Sequence, residues 1–467
     1  MQIPILNGIY TDNGPDILTS YPVNLVPVPK KSGISNGFLR PGDGLVANGA
    51  GPGIDRGGIN WNGTCYRVMG TKLVTVASDG AVTVLGDVGG PVNTLVTFDY
   101  SFDRLAIASG GRLYYWNGAL TQVTDPDIGT VLDVVWVDGY FMTTDGTSLV
   151  VTELTDPTQV NPLKYGSSEV DPDPVVALLK LRNEIYALNR NTIEVFDNVG
   201  GDFFPFQRID GAQIQKGVIG TFGCCVYLET VAFLGSGRNE QPGIYLGANA
   251  SAQKISTQEI DILLLNYTEA QLATVKLEAR NDKNHQHLYV HLPDRTVVYD
   301  AAASEALGEQ VWFTLTTSQV GFSQYRARNL VWAYDKWLVG DPQSSTIGYM
   351  VQDIGSHWGQ IVRWEFGTLI AYKEGNGAIF NELELVALTG RVALGTDPII
   401  STSYSVDGLA WSQDRPIRVG TTGSTKKRLA WFQQGHMLNW RIQRFRGDTQ
   451  AHLSFARLEA QIEALAY

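Results

Sequence analysis

Cysteine, histidine and methionine are scarce in this chain of 467 residues, which has 3 Cys, 6 His and 5 Met. Three thiols, Cys65, Cys224 and Cys225, cannot build the disulfide framework of a small secreted domain. Cys224 and Cys225 are adjacent in an apolar run (TFGCCVYLETVAFLG), where thiols serve as small buried side chains, and a metal would need further ligands close by. Long apolar stretches are missing too. No segment approaches the roughly 20 apolar residues of a membrane span, and MQIPILNGIY has neither the basic start nor the apolar core of a secretory signal. The expectation is a soluble protein that folds in a reducing compartment. Positive charge is in deficit: 35 Lys and Arg against 47 Asp and Glu leave a net charge of -12. That removes any global electrostatic case for gripping nucleic acid. An acidic surface suits a conduit through which DNA slides without sticking.

Gly, Pro and aromatics are abundant, with 50 Gly, 19 Pro and 10% Phe, Trp and Tyr, as in turn-rich all-β proteins. A unit also recurs. An apolar strand with an aromatic is followed by a turn and a second alternating strand at 59–76, 95–116, 131–151, 175–196, 218–246, 275–299 and 331–349. Repeats of this length, built of strands without helices between them, indicate a β-propeller. Two segments between the fifth and sixth units look helical, 256–265 (STQEIDILLL) and 268–277 (TEAQLATVKL), and Thr268 with Gln271 has capping-box spacing. They replace a strand or decorate a blade, so six or seven blades are expected.

Three regions follow. Residues 1–45 (including YPVNLVPVPKKSGISNGFLRPGDG) form an extended arm that cannot bury a core of its own. In an oligomer the expected support for such an arm is a neighbouring subunit. Residues 46–360 form the propeller with its helical insertion near 256–277, and residues 361–467 a C-terminal β-sandwich. The last stretch, 453–464 (LSFARLEAQIEA), fits a strand or a helix by period, and the strand is favoured because the module needs partners.

Candidate chemistry is sparse. His285, His287 and His291 share one face of a strand, but extended geometry spreads His287 and His291 by roughly 13 Å, which argues against one metal held by all three. Ser405, Asp407, Gly408 and Trp411 resemble an Asp-box turn one residue short, a structural hairpin element. Asp103, Asp138, Glu184 and Asp335 sit at equivalent turns of the repeats, as turn-forming residues do; an active site breaks symmetry. GxSxG, Walker A, HExxH and dinucleotide fingerprints are missing, so the chain reads as no enzyme, with no catalytic residue, metal or cofactor assigned. One charge asymmetry is left: Arg415, Arg418, Lys426, Lys427, Arg428, Arg441, Arg444 and Arg446 cluster in the last module, interleaved with Trp431, Phe432, Trp440 and Phe445. Such a mixture is either a solvated face or an interface with an acidic neighbour subunit or with DNA.

These segments resemble the tail-hub, or packaged-DNA stabilization, proteins of short-tailed bacteriophages. The resemblance rests on Tyr21-Pro22-Val23-Asn24-Leu25, Gly37-Phe38-Leu39-Arg40-Pro41-Gly42, Gln215-Lys216-Gly217-Val218-Ile219-Gly220-Thr221, Asn266-Tyr267-Thr268, Gln310-Val311-Trp312, Ser403-Tyr404-Ser405-Val406-Asp407-Gly408 and Arg428-Leu429-Ala430-Trp431. It implies a structural virion protein in the phage tail, assembled in the bacterial cytoplasm. The chain would form a homohexameric ring below the portal and adaptor, continue the DNA channel without sequence-specific binding, retain the packaged genome, hold tailspikes or fibres and meet a needle or plug. The shortened turn before Trp411 departs from the fuller stretch of relatives. The competing expectation is a phage-tail propeller that binds or cleaves surface glycans, with Trp and Tyr stacking on sugars. A third is a host-cell interaction platform.

Overall fold

The computed structural model describes residues 1–11, 18–30, 35–201, 203–371 and 376–465. Among these, seven antiparallel sheets follow one another around a ring: residues 55–87, 97–122, 133–167, 175–208, 217–254, 276–315 and 328–351, here blades 1 to 7. Local chemistry shapes each blade. Alternating strands have one face to bury, and the hairpin joining the first two strands needs left-handed residues, supplied by Asn62, Asp138, Asn284 and Asp335 at φ between 47° and 69°. Cores lie between blades, not within them. Val135, Met142 and Leu149 of blade 3, for example, pack on Leu178, Ile185 and Phe196 of blade 4.

Polar stitches on the innermost strands add direction. Each carboxylate accepts backbone N–H groups from the following blade: Asp99 from Trp136, Asp133 from Leu178, and Glu278 from both Asn329 and Leu330. The ring is closed by sequence-distant strands. Blade 7 supplies three strands of its own, and its fourth is Gly44–Ala50, which precedes blade 1 and pairs antiparallel with Thr346–Val351. At that seam Arg67 of blade 1 meets Asp55 at 2.9 Å and donates to Asn329 O, while Asn329 Nδ2 donates to Asp55 at 2.6 Å. All seven sequence units thus become blades, and the open count of six or seven resolves to seven.

The helical insertion connects blades 5 and 6 and replaces no strand. Helix α1 (Gln258–Leu265) buries Ile260 and Leu264, and α2 (Glu269–Leu272) carries the expected capping box between Thr268 and Gln271. The second helix stops short of the expected 277, because Lys276 already pairs in the first strand of blade 6. Helix α3 (Ala301–Leu307), not anticipated from the sequence, follows the third strand of blade 6 and is capped by Asp300.

The C-terminal module is a two-sheet sandwich. One sheet runs Arg363–Ala371, Trp440–Asp448, Ile399–Ser405, Arg415–Arg418; the other runs Ala430–Phe432, Ala378–Ala387, Phe455–Ala464, Gly37–Pro41, Leu25–Pro29. The final stretch is therefore a strand. Between the sheets Trp364 packs on Phe455 at 4.8 Å and Phe366 on Phe455 at 5.6 Å.

The arm corrects an expectation. Its described strands lie on their own chain, not on a neighbour: Gln2–Ile3 and Gly37–Pro41 both pair with Phe455–Ala464, and the Met1 amino group donates to Ala460 O at 2.8 Å. Residues 22–24 run between the modules. Val23 exchanges backbone hydrogen bonds with Glu365 of the sandwich, while Asn24 N–H donates to Thr314 O and Thr314 N–H to Pro22 O in blade 6. The buried Asn24 amide then donates to Thr316 O at 2.9 Å and Arg363 O at 2.7 Å, and accepts from Thr316 N–H at 3.0 Å. One side chain thus ties propeller to sandwich.

Candidate functional site

The basic and aromatic cluster of the sandwich does not form one face. Strand alternation divides it: in Trp440–Asp448, Arg441 points one way and Trp440, Arg444 and Arg446 the other. Arg441 is fully buried between the rings of Phe380 and Tyr404, at 4.0 and 4.4 Å, and donates to Gln434 O and Gln443 Oε1. Burial lowers its pKa to about 10. Trp431 is also core, its indole N–H donating to Arg415 O. Neither can meet a partner.

Most of the others already hold carboxylates or carbonyls of this chain. Arg428 bonds Glu382 and Glu384, Arg418 pairs with Asp397, Arg444 and Arg446 with Asp414, and Arg415 donates to the carbonyls of Phe432 and Gln433. Lys426 and Lys427 are exposed, and elsewhere in the module Leu394, Leu409, Phe432 and Leu438 are each at least 61% exposed. Trp440 is half-buried.

The Asp-box segment behaves as a turn. Asp407 accepts from the backbone of Leu409 and Ala410, Ser405 Oγ accepts from Gly408, and the loop joins Ile399–Ser405 to Arg415–Arg418. Trp411 stacks against the Arg444 guanidinium at 4.0 Å. Asp103, Asp138 and Asp335 lie in the first-hairpin turns of three blades, and Glu184 directly follows that of a fourth.

The propeller's central channel is lined by inner-strand residues such as Asp99, Trp136 and Lys180 and by Phe222 of a turn, and holds a cavity of about 610 Å³. Inside it, burial outweighs the backbone donors at Asp133 and raises its pKa to about 7. Burial also pushes the Cys65 and Cys224 thiols up, away from reactive thiolate chemistry.

The three histidines of blade 6 separate as their spacing predicts. His291 bonds Glu278 and Thr296, each at 3.0 Å. His285 and His287 instead stack on one another at 4.9 Å and face Asp300, which sequence reasoning missed. The signal was present: the turn after His291 sets the register His291 opposite Thr296, hence His287 opposite Asp300. Burial opposes ionisation of Asp300, but His285 and His287 outweigh it and hold the carboxyl well below its ordinary range.

Comparison with known proteins matches two family models described as bacteriophage P22 Gp10, the β-propeller over residues 1–355 and the β-sandwich over residues 363–463. The tail hub protein gp10 of Salmonella phage P22 is 27% identical over 459 residues, covering 93% of this chain and 94% of that one. Among solved structures, the Pan2 WD40 domain of Neurospora crassa covers 66% of this chain and 95% of its own at 11% identity and a TM-score of 0.42. The N-terminal domain of Nup159 covers 71% and 99% at 8% and 0.40. These two are distant likenesses and bear no weight on function.

Proposed function

The chain belongs to the bacteriophage P22 Gp10 family of tail hub proteins, and we propose that it is assembled as a hexameric hub below the portal and adaptor of a short phage tail. Its role is structural and its place is the virion tail. The observation that carries the reading is the arm: Gly44–Ala50 closes the propeller, Gln2–Ile3, Leu25–Pro29 and Gly37–Pro41 fill the sandwich sheet, and Asn24 crosses between them, which makes two modules one mechanical unit. A scaffold under the load of packaged DNA needs that more than it needs a pocket.

In this reading DNA passes between subunits, along the axis of the ring. Acidic surfaces facing the duplex let it slide. The exposed sandwich residues Lys426, Lys427, Phe432 and Leu438 close the ring against an acidic neighbour. The propeller loops are left to dock spikes or fibres, and the far end of the ring meets a needle or plug.

Native mass spectrometry of the chain mixed with its portal–adaptor ring tests this. A hexamer added to the ring is expected. A chain that stays monomeric and unbound refutes the reading. Deleting the sandwich is a poor test of ring closure, because it strips the partners of Gln2–Ile3 and Gly37–Pro41 as well. The double charge reversal Lys426→Glu, Lys427→Glu leaves the fold intact and isolates the contact.

A further inference from the structure

We propose that His285, His287 and Asp300 form a binding site in blade 6 for a divalent transition-metal ion of the zinc type. One ring nitrogen from each histidine and one carboxylate oxygen lie within 4.8 Å of one another. A tetrahedral zinc with bonds of about 2.0–2.1 Å sets its donors about 3.3 Å apart. His287 Nε2 is already 3.5 Å from Asp300 Oδ2, and His285 Nδ1 is 2.6 Å from the same oxygen. His287 and Asp300 thus already stand at tetrahedral spacing, and His285 Nδ1 has about 0.7 Å to open from the shared oxygen.

A second observation points to a ligand. His287 is 3% exposed, its Nδ1 has no hydrogen-bond partner, and its Nε2 has only Asp300 Oδ2 at 3.5 Å, a contact too long for a good hydrogen bond. Buried imidazoles are rarely left so. A metal shared by Nε2 and Asp300 Oδ2 replaces that long contact with two bonds.

The surroundings hold the donors in place. His287 and Asp300 are opposite each other in register, and His285 lies two residues earlier on the same strand face. The His287 ring packs edge-on against Phe313 and Tyr289. Asp300 Oδ1 is occupied by the N–H groups of Gln286, Ala302 and Ala303, which leaves Oδ2 for the metal side. Such support is what fixes ligand orientation at metal centres. Charge agrees. Arg280 stands opposite His287, but its guanidinium is engaged by Asp43 and Asp282, and Asp43 also pairs with Arg40. Two imidazoles select zinc-like ions over magnesium or calcium. Three protein donors leave the fourth position to water. Because the site joins the second and third strands of blade 6 at the start of α3, the ion stiffens the blade on which the arm rests.

The test uses the full chain, tag-free and stripped with chelator, titrated calorimetrically with Zn²⁺ alone. One ion per chain with Kd below about 1 µM is expected. His287→Phe, which keeps an aromatic ring against Phe313, and His285→Gln should each weaken binding by at least about 100-fold. His291→Gln, whose native partners are Glu278 and Thr296, should bind as the parent does. No stoichiometric binding by the parent overturns the proposal, as does unchanged affinity in His287→Phe or an equal loss in His291→Gln. Should a variant misfold, Co²⁺ bound to the parent decides: intense visible bands of tetrahedral nitrogen and oxygen coordination support the site, and a pale six-coordinate spectrum or none overturns it.

Discussion

Replacing Asn24 by Ala should loosen the propeller from the sandwich without unfolding either. The amide makes three hydrogen bonds, two to carbonyls on opposite modules and one from the Thr316 N–H, and the residue is only 3% exposed. Truncation orphans one donor and weakens two acceptors. At about 1–3 kcal/mol for each buried group left unsatisfied, the joint loses about 3–5 kcal/mol. The backbone adds to this, because φ is 52° at Asn24 and alanine tolerates that region worse than asparagine by about 1 kcal/mol. Asn24→Gly relieves the second cost and not the first, so the two variants should differ by about 1 kcal/mol. Hydrogen exchange followed by mass spectrometry reads the joint directly. With each 1.4 kcal/mol worth about tenfold, peptides spanning 312–318 and 361–366 should exchange at least about 100-fold faster in Asn24→Ala. Peptides in blades 2 to 4 should keep parental rates. Calorimetry should split one melting transition into two. Exchange at Thr316 within about threefold of the parent, with a single unchanged transition, would refute the idea that this amide couples the modules.

Other perturbations separate core from surface and seam from ring. Burial raises the Asp133 pKa to about 7, so the folded chain holds that proton where the unfolded chain has released it. This carboxyl therefore stabilises the fold fully below about pH 4 and loses its contribution as pH rises to about 7, by up to about 4 kcal/mol. Asp133→Asn should flatten that part of the stability profile in denaturant titrations from pH 4 to 8. Arg441→Ala should cost the sandwich about 3 kcal/mol through the cavity between Phe380 and Tyr404, whereas Lys426→Ala and Lys427→Ala should stay within about 0.5 kcal/mol, as urea titrations will show. A Cβ at Gly348 would stand 1.9 Å from Val46 O on the closing strand, so Gly348→Val should open the seam and expose Gly44–Ala50 to protease.

What was legible in the sequence was local. Period-two alternation located the strands, and Asn, Asp and Gly at positions of positive φ located the hairpins, because both signals depend on neighbours within a few residues. The capping box at Thr268 was read correctly for the same reason, whereas the C-terminal end of that helix was not, since the pairing of Lys276 with His291 decides it from a distance. The cluster of arginines was visible as a count and misleading as a face. Applied to Trp440–Asp448, alternation alone would have sent Arg441 inward and Arg444 and Arg446 outward. Asp300 was within reach too: pairing His291 with Thr296 across the tight turn brings it opposite His287.

The arm was beyond such reading, and its placement has a consequence for folding. Gln2 pairs with Glu459 and Gly44 with Val351, so these strands find their partners only across several hundred residues of intervening chain. Until blade 7 exists, the closing strand has no edge to join, and until Phe455–Ala464 exists the arm has no sheet. Loop-closure entropy for such distant pairs must be met by contacts that form together, which couples completion of the ring, the sandwich and the joint at Asn24 into one late step. A chain that has lost its last strand should consequently lose the arm and, with the arm, the joint between propeller and sandwich.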